Sequence, residues 1–215
     1  MMRPEVRLDI FSDPVCPWCW IGKALLDRAL ESAPDHPFRV TWHPFRLNPD
    51  MPRGGMDRRA YMEAKFGGQQ GAVAAYLPVV QAAEAAGLAL DLAAITRQPD
   101  TTDAQRLIHW AGLEGRQAAM VSALFRGYFQ QGADLGDLET LATLAAQAGL
   151  DRDMIARLLA STADRDLIRE ADRDARARGI QGVPFFIIAE NYAIPGAQSV
   201  ELWQSVITEL QGGPS

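Results

Sequence analysis

Cysteine and histidine are scarce in this sequence, which holds two cysteines and three histidines among 215 residues. If the protein is in a reducing compartment, this pair of cysteines does not form a permanent structural disulfide, so a catalytic or metal-binding role is favoured. A tetrahedral zinc site needs four ligands, and none of His36, His43 and His109 has metal-ligand spacing to another. We therefore expect no bound metal.

Long apolar runs and an excess of basic residues are also missing. The first residues, "MMRPEVRLDIFSDP", show no secretory signal, and no apolar stretch is long enough to span a bilayer. We therefore expect a cytoplasmic protein with no membrane partner. The formal net charge of −6 and the pI of about 5.1 argue against nucleic acid as a partner.

Hydrophobic patterning predicts an α/β unit at each end of the chain. Residues 5–11 read as a buried strand, residues 17–33 as a helix, and "FRVTWHPFRL" (38–47) as a second strand, which together form a βαβ unit. After Gly179, "VPFFIIA" and "NYAIPG" predict a hairpin that turns at Glu190 and Asn191, followed by a helix capped by Ser199. Because "VPFFII" is too apolar to stand alone, we expect it to pair with the first two strands.

The segment between these ends is rich in strong helix formers. We predict helices near 57–66, 70–86, 102–113, 116–131, 137–148 and 151–178, with a break in the last one near Ser161. The resulting organisation is a domain formed by residues 1–50 and 179–215, with a helical insertion at 51–178. In "RLIHWAG", His109 and Trp110 are expected to face the core of the insertion.

Both cysteines lie in "FSDPVCPWCWIGK", at the predicted junction of strand and helix. A thiol is a nucleophile only as the thiolate, and the unpaired N–H groups and dipole at a helix N-terminus favour that anion. Cys16 stands at this start, Pro17 suits the first turn, and Cys19 follows one turn later. The spacing favours a reversible disulfide in which one sulfur attacks and the other resolves. Two incidental cysteines on a short helix are the structural alternative.

A second feature is "GVPFF", where Pro184 opens an apolar strand. Proline is tolerated at the first residue of a strand or at an edge, and the peptide bond before it is either trans or cis.

Taken in order along the chain, these sequence segments resemble those of the thioredoxin-fold DsbA family. The similarity is greatest to its FrnE-like branch, the polyketide-biosynthesis dithiol–disulfide isomerases, with the 2-hydroxychromene-2-carboxylate isomerases as cousins. The matching words are "SDPVCPWCWIGK", "WHPFRLNPDMP", "DAQRLIHWA", "LFRGYFQQGADLGD", and "GIQGVPFFII" with "YAIPGAQ". The resemblance implies an α/β thioredoxin fold with a large all-helical insertion domain between its βαβ half and its ββα half.

The resemblance also implies site roles. Cys16 would be the exposed attacking thiol and Cys19 the buried resolving thiol. Pro184 would be cis and lie beside the pair, with Val183 offering its backbone to an extended substrate. Asp9 falls near the place where some relatives carry a buried acid that moves a proton to or from the resolving thiol.

Three functions follow as hypotheses. The first is a thiol–disulfide oxidoreductase or isomerase that acts on protein or peptide disulfides without a bound cofactor, with glutathione as a candidate redox partner. The second is a glutathione-dependent isomerase or transferase on a small aromatic substrate, although those cousins tend to replace the first cysteine with serine. The third is an added chaperone activity. One departure is that relatives often carry a histidine where Gln105 stands, so no role of that histidine transfers.

The residues between the cysteines give a prediction about redox poise. The strongly oxidising periplasmic member has Pro-His where this chain has Pro17 and Trp18, and an indole cannot supply a cationic imidazole. We expect a disulfide less oxidising than about −120 mV, the value typical of that relative. Equilibration of the purified protein with glutathione redox buffers measures the potential. A value as oxidising as the periplasmic enzyme's would contradict the prediction.

Overall fold

The computed structural model of the protein describes residues 5–212, so the outermost ends of the predicted first domain lie outside the described residues. The chain begins with the predicted βαβ unit. Strand β1 (Val6–Ser12) leads into helix α1 (Pro17–Ser32), which returns the chain to strand β2 (Phe38–Pro44). The two strands are parallel, as a helical crossover requires. Strand β2 is three residues shorter than predicted.

A long insertion follows β2. Its elements are β3 (Met56–Asp57), α2 (Arg58–Phe66), α3 (Gln69–Ala85), β4 (Arg97–Gln98), α4 (Thr102–Leu113), α5 (Gln117–Gln131), α6 (Leu138–Gln147), α7 (Arg152–Ala160) and α8 (Arg165–Ala177). Every predicted helix is present within about two residues of its expected ends. The last one is broken at Ser161, as expected. The insertion is helical apart from the β3–β4 ribbon, which the sequence analysis missed because two residues show no period.

The chain then returns to the first sheet through β5 (Phe185–Ile188) and β6 (Tyr192–Pro195) and ends in α9 (Val200–Gly212). The sheet order is β2-β1-β5-β6, with β5 antiparallel to both of its neighbours. The expected pairing of the two chain ends is therefore confirmed. Ser199 caps α9 by accepting a hydrogen bond from the backbone N–H of Leu202.

The main core lies on one face of this sheet and continues into the insertion. Leu8 and Ile10 of β1 point into it together with both cysteines. Phe186 packs edge-on against Trp203 of α9, with ring centroids 4.9 Å apart. Because Leu8 and Ile10 face the cysteines, the alternation of the strand turns Asp9 to the opposite face.

An arginine without solvent exposure holds α4 against the turn between α7 and α8. The guanidinium of Arg106 donates to the carbonyls of Leu158 and Ala163, both at 2.6 Å. It also pairs with the carboxylate of Asp103 at 2.7 Å. The fork of five N–H donors suits this cluster of acceptors.

We predict that Arg106→Leu lowers the free energy of unfolding by about 3–5 kcal/mol, because it removes a buried donor from the carbonyls of Leu158 and Ala163 and one of the two arginines that pair with Asp103. Urea unfolding at neutral pH measures the change. Arg169→Leu is the matched control, since Arg169 forms a half-exposed pair with Asp166 and its loss should cost only about 0.5 kcal/mol. Equal losses in the two variants would contradict the role given to Arg106.

Candidate functional site

Cys16 is the N-cap residue of α1. Its backbone is extended (φ −91°, ψ 112°), and its Sγ accepts a hydrogen bond from the backbone N–H of Cys19 at 3.4 Å. Pro17 occupies the first helical position, where its missing N–H would have had no partner. The sulfur therefore lies where the free N–H groups and dipole of the helix stabilise negative charge.

The second predicted feature lies beside this sulfur. The Val183–Pro184 peptide bond is cis, and the Cys16 thiol lies 3.5 Å from the carbonyl oxygen of Val183, to which it donates. Helix α1 approaches the Pro184 loop closely because residue 22 is glycine. A Cβ at Gly22 would lie 3.2 Å from Cγ of Pro184. The structure thus brings Cys16, Val183 and Pro184 together, although they are distant in sequence.

Both cysteines are free thiols and both are buried, with 3% of Cys16 and 1% of Cys19 exposed. The expectation of an exposed Cys16 is therefore wrong, and the sulfur instead lines a cavity that it shares with side chains of the insertion. Burial, together with the neighbouring Cys16, raises the pKa of the Cys19 thiol well above its usual range. Cys19 is held in its protonated, unreactive form.

A cavity of about 250 Å³ opens beside Cys16, between α1 and the α2–α3 hairpin. Trp18, which is 37% exposed, forms part of its wall together with Met62 and Val79. Lys65 lines the same cavity. The cavity therefore offers an apolar surface and a cation next to the sulfur.

Arg58 adds a fixed positive charge to this cavity. Its guanidinium bonds to Gln98 and to the hydroxyl of Tyr76, and it lies within about 6 Å of the ring centroids of Tyr61, Tyr76 and Tyr128. No pattern in the sequence predicted these residues. They come from four separate elements and share no spacing, so only the fold brings them together.

A second opening lies on the other side of the cis bond. It measures about 410 Å³ and is lined by Val183, Pro184 and three glycines: Gly179, Gly182 and Gly196. A Cβ added to any of these glycines would meet no atom within 4 Å. The three glycines therefore leave open space beside the backbone of Val183 and Pro184.

Asp9 is not brought to the thiols. Its carboxylate bonds to Arg7 at 2.8 Å and to Nε2 of His43 at 2.5 Å, on the face of β1 that turns away from both cysteines. The assignment of Asp9 as the acid beside Cys19 is therefore corrected by the alternation of the strand.

The buried acid next to the cysteines is Asp13, in the loop between β1 and α1. It has no exposed surface, and its carboxylate accepts hydrogen bonds from the backbone N–H groups of Val15 (3.3 Å) and Leu47 (2.7 Å). Its own carbonyl accepts from the N–H of Cys16 at 2.9 Å. Burial raises the pKa of Asp13 to about 6, although these hydrogen bonds and Arg46 oppose the shift. Asp13 thus sets the position of Cys16.

Gln105, at the position where relatives often carry histidine, braces the same loop. It is buried, and its amide donates to the carbonyl of Ser12 at 2.8 Å. Two residues near Gln105 in "RLIHWAG" differ in burial. Trp110 is buried and donates to Asp164, whereas His109 is only half-buried and faces a cavity. The core-facing prediction is confirmed for Trp110 and wrong for His109.

Within residues 5–212, no three His, Cys, Asp or Glu side chains gather as metal ligands would. None of the helices in the same range combines the length and the apolar character needed to cross a membrane.

Comparison with known proteins gives the chain relatives along its whole length. The family described as the DSBA-like thioredoxin domain matches residues 7–208. A probable DsbA oxidoreductase of Streptomyces coelicolor, SCO1869, superposes with a TM-score of 0.85 at 32% identity, over 98% of this chain and 92% of that one. The uncharacterized protein YwbO of Bacillus subtilis is 27% identical over 96% of this chain and 98% of its own length.

A more distant structure shares the fold alone. The cytosolic disulfide reductase DsbM of Pseudomonas aeruginosa, in a structure with GSH, superposes with a TM-score of 0.65 at 18% identity. The match covers 94% of this chain and 97% of that one.

The pKa of Asp13 gives a prediction about stability and pH. Because folding raises this pKa from 3.8 to about 6, the folded state binds the proton more tightly than the unfolded chain does. The stabilising contribution is therefore full below pH 3.8 and is lost as the pH rises through 6. We expect the difference in unfolding free energy between wild type and Asp13→Asn to shift against the wild type by about 2–3 kcal/mol over that rise.

Urea unfolding of both proteins at a series of pH values measures this shift. Asp153→Asn, which removes a largely exposed carboxylate, controls for the general loss of one charge. A difference between wild type and Asp13→Asn that stays constant across the series would contradict the prediction.

Proposed function

Because the chain belongs to the family of DSBA-like thioredoxin domains, we propose that it is a thiol–disulfide oxidoreductase in which Cys16 and Cys19 exchange disulfides with protein or peptide substrates. The observation that carries the proposal is the cap geometry. The sulfur of Cys16 accepts the N–H of Cys19 at the start of α1, and the second thiol lies one turn into the same helix.

In the reducing direction, the Cys16 thiolate attacks one sulfur of a substrate disulfide. A mixed disulfide forms, and the other substrate sulfur leaves as a thiolate that takes up a proton. Cys19 then loses its proton and attacks the sulfur of Cys16. The Cys16–Cys19 disulfide forms and the second substrate thiol is released, so two electrons pass from the dithiol to the substrate. The same steps in reverse oxidise a substrate.

The two thiols have environments that suit these different roles. The sulfur of Cys16 accepts the N–H of Cys19 at the start of the helix, whereas burial and the neighbouring Cys16 raise the pKa of the Cys19 thiol. A buried, protonated resolving thiol does not attack the substrate disulfide, and it reacts only when a mixed disulfide forms beside it on Cys16. This arrangement supports the order of attack.

Residues around Cys16 supply the contacts for a substrate. An extended peptide would pair with the backbone at Val183, beside Pro184, through the opening lined by glycine. Pro17 and Trp18 would contact the segment that follows the attacked sulfur. Because Cys16 is buried and lines the cavity beside α2 and α3, access to the sulfur requires the α2–α3 hairpin to shift or a substrate that enters the cavity.

The cavity also supports glutathione as a small redox partner in the cytosol. It lies next to the sulfur, and Arg58 and Lys65 offer positive charge to a carboxylate of the tripeptide. DsbM, which shares the fold, is a cytosolic reductase seen with GSH. A glutathione-dependent isomerase of small aromatic compounds is the second candidate, favoured by the rings of Tyr61 and Tyr76 in the same cavity. The retained Cys16 argues against it.

We predict that Cys16→Ser abolishes disulfide exchange, whereas Cys19→Ser accumulates mixed disulfides on Cys16, because only the resolving step is lost. Mass spectrometry of adducts trapped from cell extract measures the second result. A cytosolic redox role predicts glutathione and cytosolic proteins among the adducts.

Two outcomes would contradict the proposal. One is full exchange activity in Cys16→Ser. The other is turnover of a chromene substrate with glutathione that is undiminished in the Cys16→Ser/Cys19→Ser protein, which would favour the isomerase. Arg169→Leu serves as a variant outside the site.

A further inference from the structure

A larger cavity, of about 580 Å³, lies away from the thiols along the edge strand β2. Helices α4, α5 and α8 supply its other walls. It shares no lining residue with the cavity beside Cys16. Its volume lies in the range that small-molecule sites occupy, about 300–1,000 Å³.

The floor of this cavity is an open sheet edge. The side-chain amide of Gln117 accepts the N–H of Trp42 at 2.9 Å and donates to the carbonyl of Trp42 at 3.0 Å. These backbone groups therefore point away from β1 and toward α5. Gln117 takes the place of a neighbouring strand at that one residue.

Val40 presents the next outward pair. Two residues earlier in the strand, about 6.6 Å away, its N–H and C=O point the same way as those of Trp42. Val40 lines the cavity, and within residues 5–212 no side chain or loop bonds to these two groups. A donor and an acceptor thus face the cavity in the spacing that one residue of an adjacent strand would satisfy.

The walls above this edge are apolar. Leu113 of α4 and Leu167 of α8 line the cavity and are 74% and 44% exposed, which is high for leucine. Ile108 and Ala171 continue the same surface. An aliphatic side chain would fit against these groups.

The charge of the lining is one-sided. Arg39 stands in the wall and forms no ion pair within the described part of the chain, and no carboxylate lines the cavity. The imidazole of His43 is held through Nε2 by Asp9 at 2.5 Å. The carboxylate of Asp9 lies behind His43 and does not line the cavity, so Arg39 gives the lining a positive charge that favours an anionic ligand.

We propose that this cavity binds a small N-acylated amino acid with an aliphatic side chain and a free carboxylate. The amide N–H of the ligand donates to the carbonyl of Val40, and the carboxylate accepts the N–H of Val40 and pairs with Arg39. The side chain packs against Leu113 and Leu167. The acyl group distinguishes the ligand from a free amino acid, whose ammonium would lie near the guanidinium.

Titration of the reduced wild-type protein with N-acetyl-L-leucine, followed by calorimetry and by amide chemical shifts, tests the site. We expect saturable binding with shifts at Val40 and Gln117. N-acetyl-L-leucinamide, which lacks the charge, and 4-methylpentanoate, which lacks the amide, should each bind about tenfold more weakly. A peptide that ends in leucine serves as a comparison, because it keeps the carboxylate and replaces the acetyl group with a longer chain.

Substitutions at Arg39 and at control positions test the proposed contact between the ligand carboxylate and the Arg39 guanidinium. Arg39→Gln should weaken N-acetyl-L-leucine about tenfold and leave the leucinamide unchanged, while Arg173→Gln, an exposed arginine of α8 outside the cavity, should change neither. Leu113→Glu, at an exposed position that folding tolerates, should abolish binding by repulsion.

Three results would overturn the proposal. The first is no saturation up to about 10 mM, a concentration at which only very weak sites stay empty. The second is a set of shifts confined to Cys16 and Trp18. The third is equal affinity for the acid, the leucinamide and the leucine-terminated peptide.

Discussion

The loop that carries the first cysteine is buried, and a buried loop persists only when its backbone polar groups find partners. Asp13 meets most of this requirement. Its carboxylate accepts hydrogen bonds from the N–H groups of Val15 and Leu47. One side chain therefore links the start of α1 to the segment that follows β2. Gln105 then joins the insertion to the same loop through the carbonyl of Ser12. The position of the Cys16 sulfur is therefore set jointly by the sheet, the first helix and the insertion.

The insertion relies on arginine in a similar way. Arg106 has no exposed surface and donates to carbonyls of the turn between α7 and α8. Arg46 donates to Asp100 and to the carbonyl of Pro49. Arg58 lies among tyrosine rings. A guanidinium can serve several acceptors or ring faces at once because it is planar and has five donors. Short helices with small apolar residues gain a defined arrangement from these polar contacts.

Much of the fold follows from local pattern, since helices end at glycines such as Gly132 and the first turn of α1 begins with proline. The cysteine pair is predicted from one short segment, whereas the cis bond at Pro184 and its place beside the pair are implied by the family resemblance. Asp9 and Asp13 illustrate the limit: both are acids near the end of β1, and burial and strand direction decide between them. Strict alternation with Leu8 and Ile10 would have shown that Asp9 turns away. The tyrosines around Arg58 and the β3–β4 ribbon depend on contacts distant in sequence, which carry no period.

The central place of β1 in the sheet has a consequence for synthesis on the ribosome. One edge of β1 pairs with β2 as soon as the first unit is made, but the other waits for Phe185–Ile188, after the whole insertion. At about 5–20 residues per second, the roughly 140 residues between the two strands take about 7–30 s. During that interval the nascent chain has an open strand edge and two uncovered thiols. The nascent chain is therefore exposed to incorrect strand pairing and incorrect disulfide formation before it can act on any substrate.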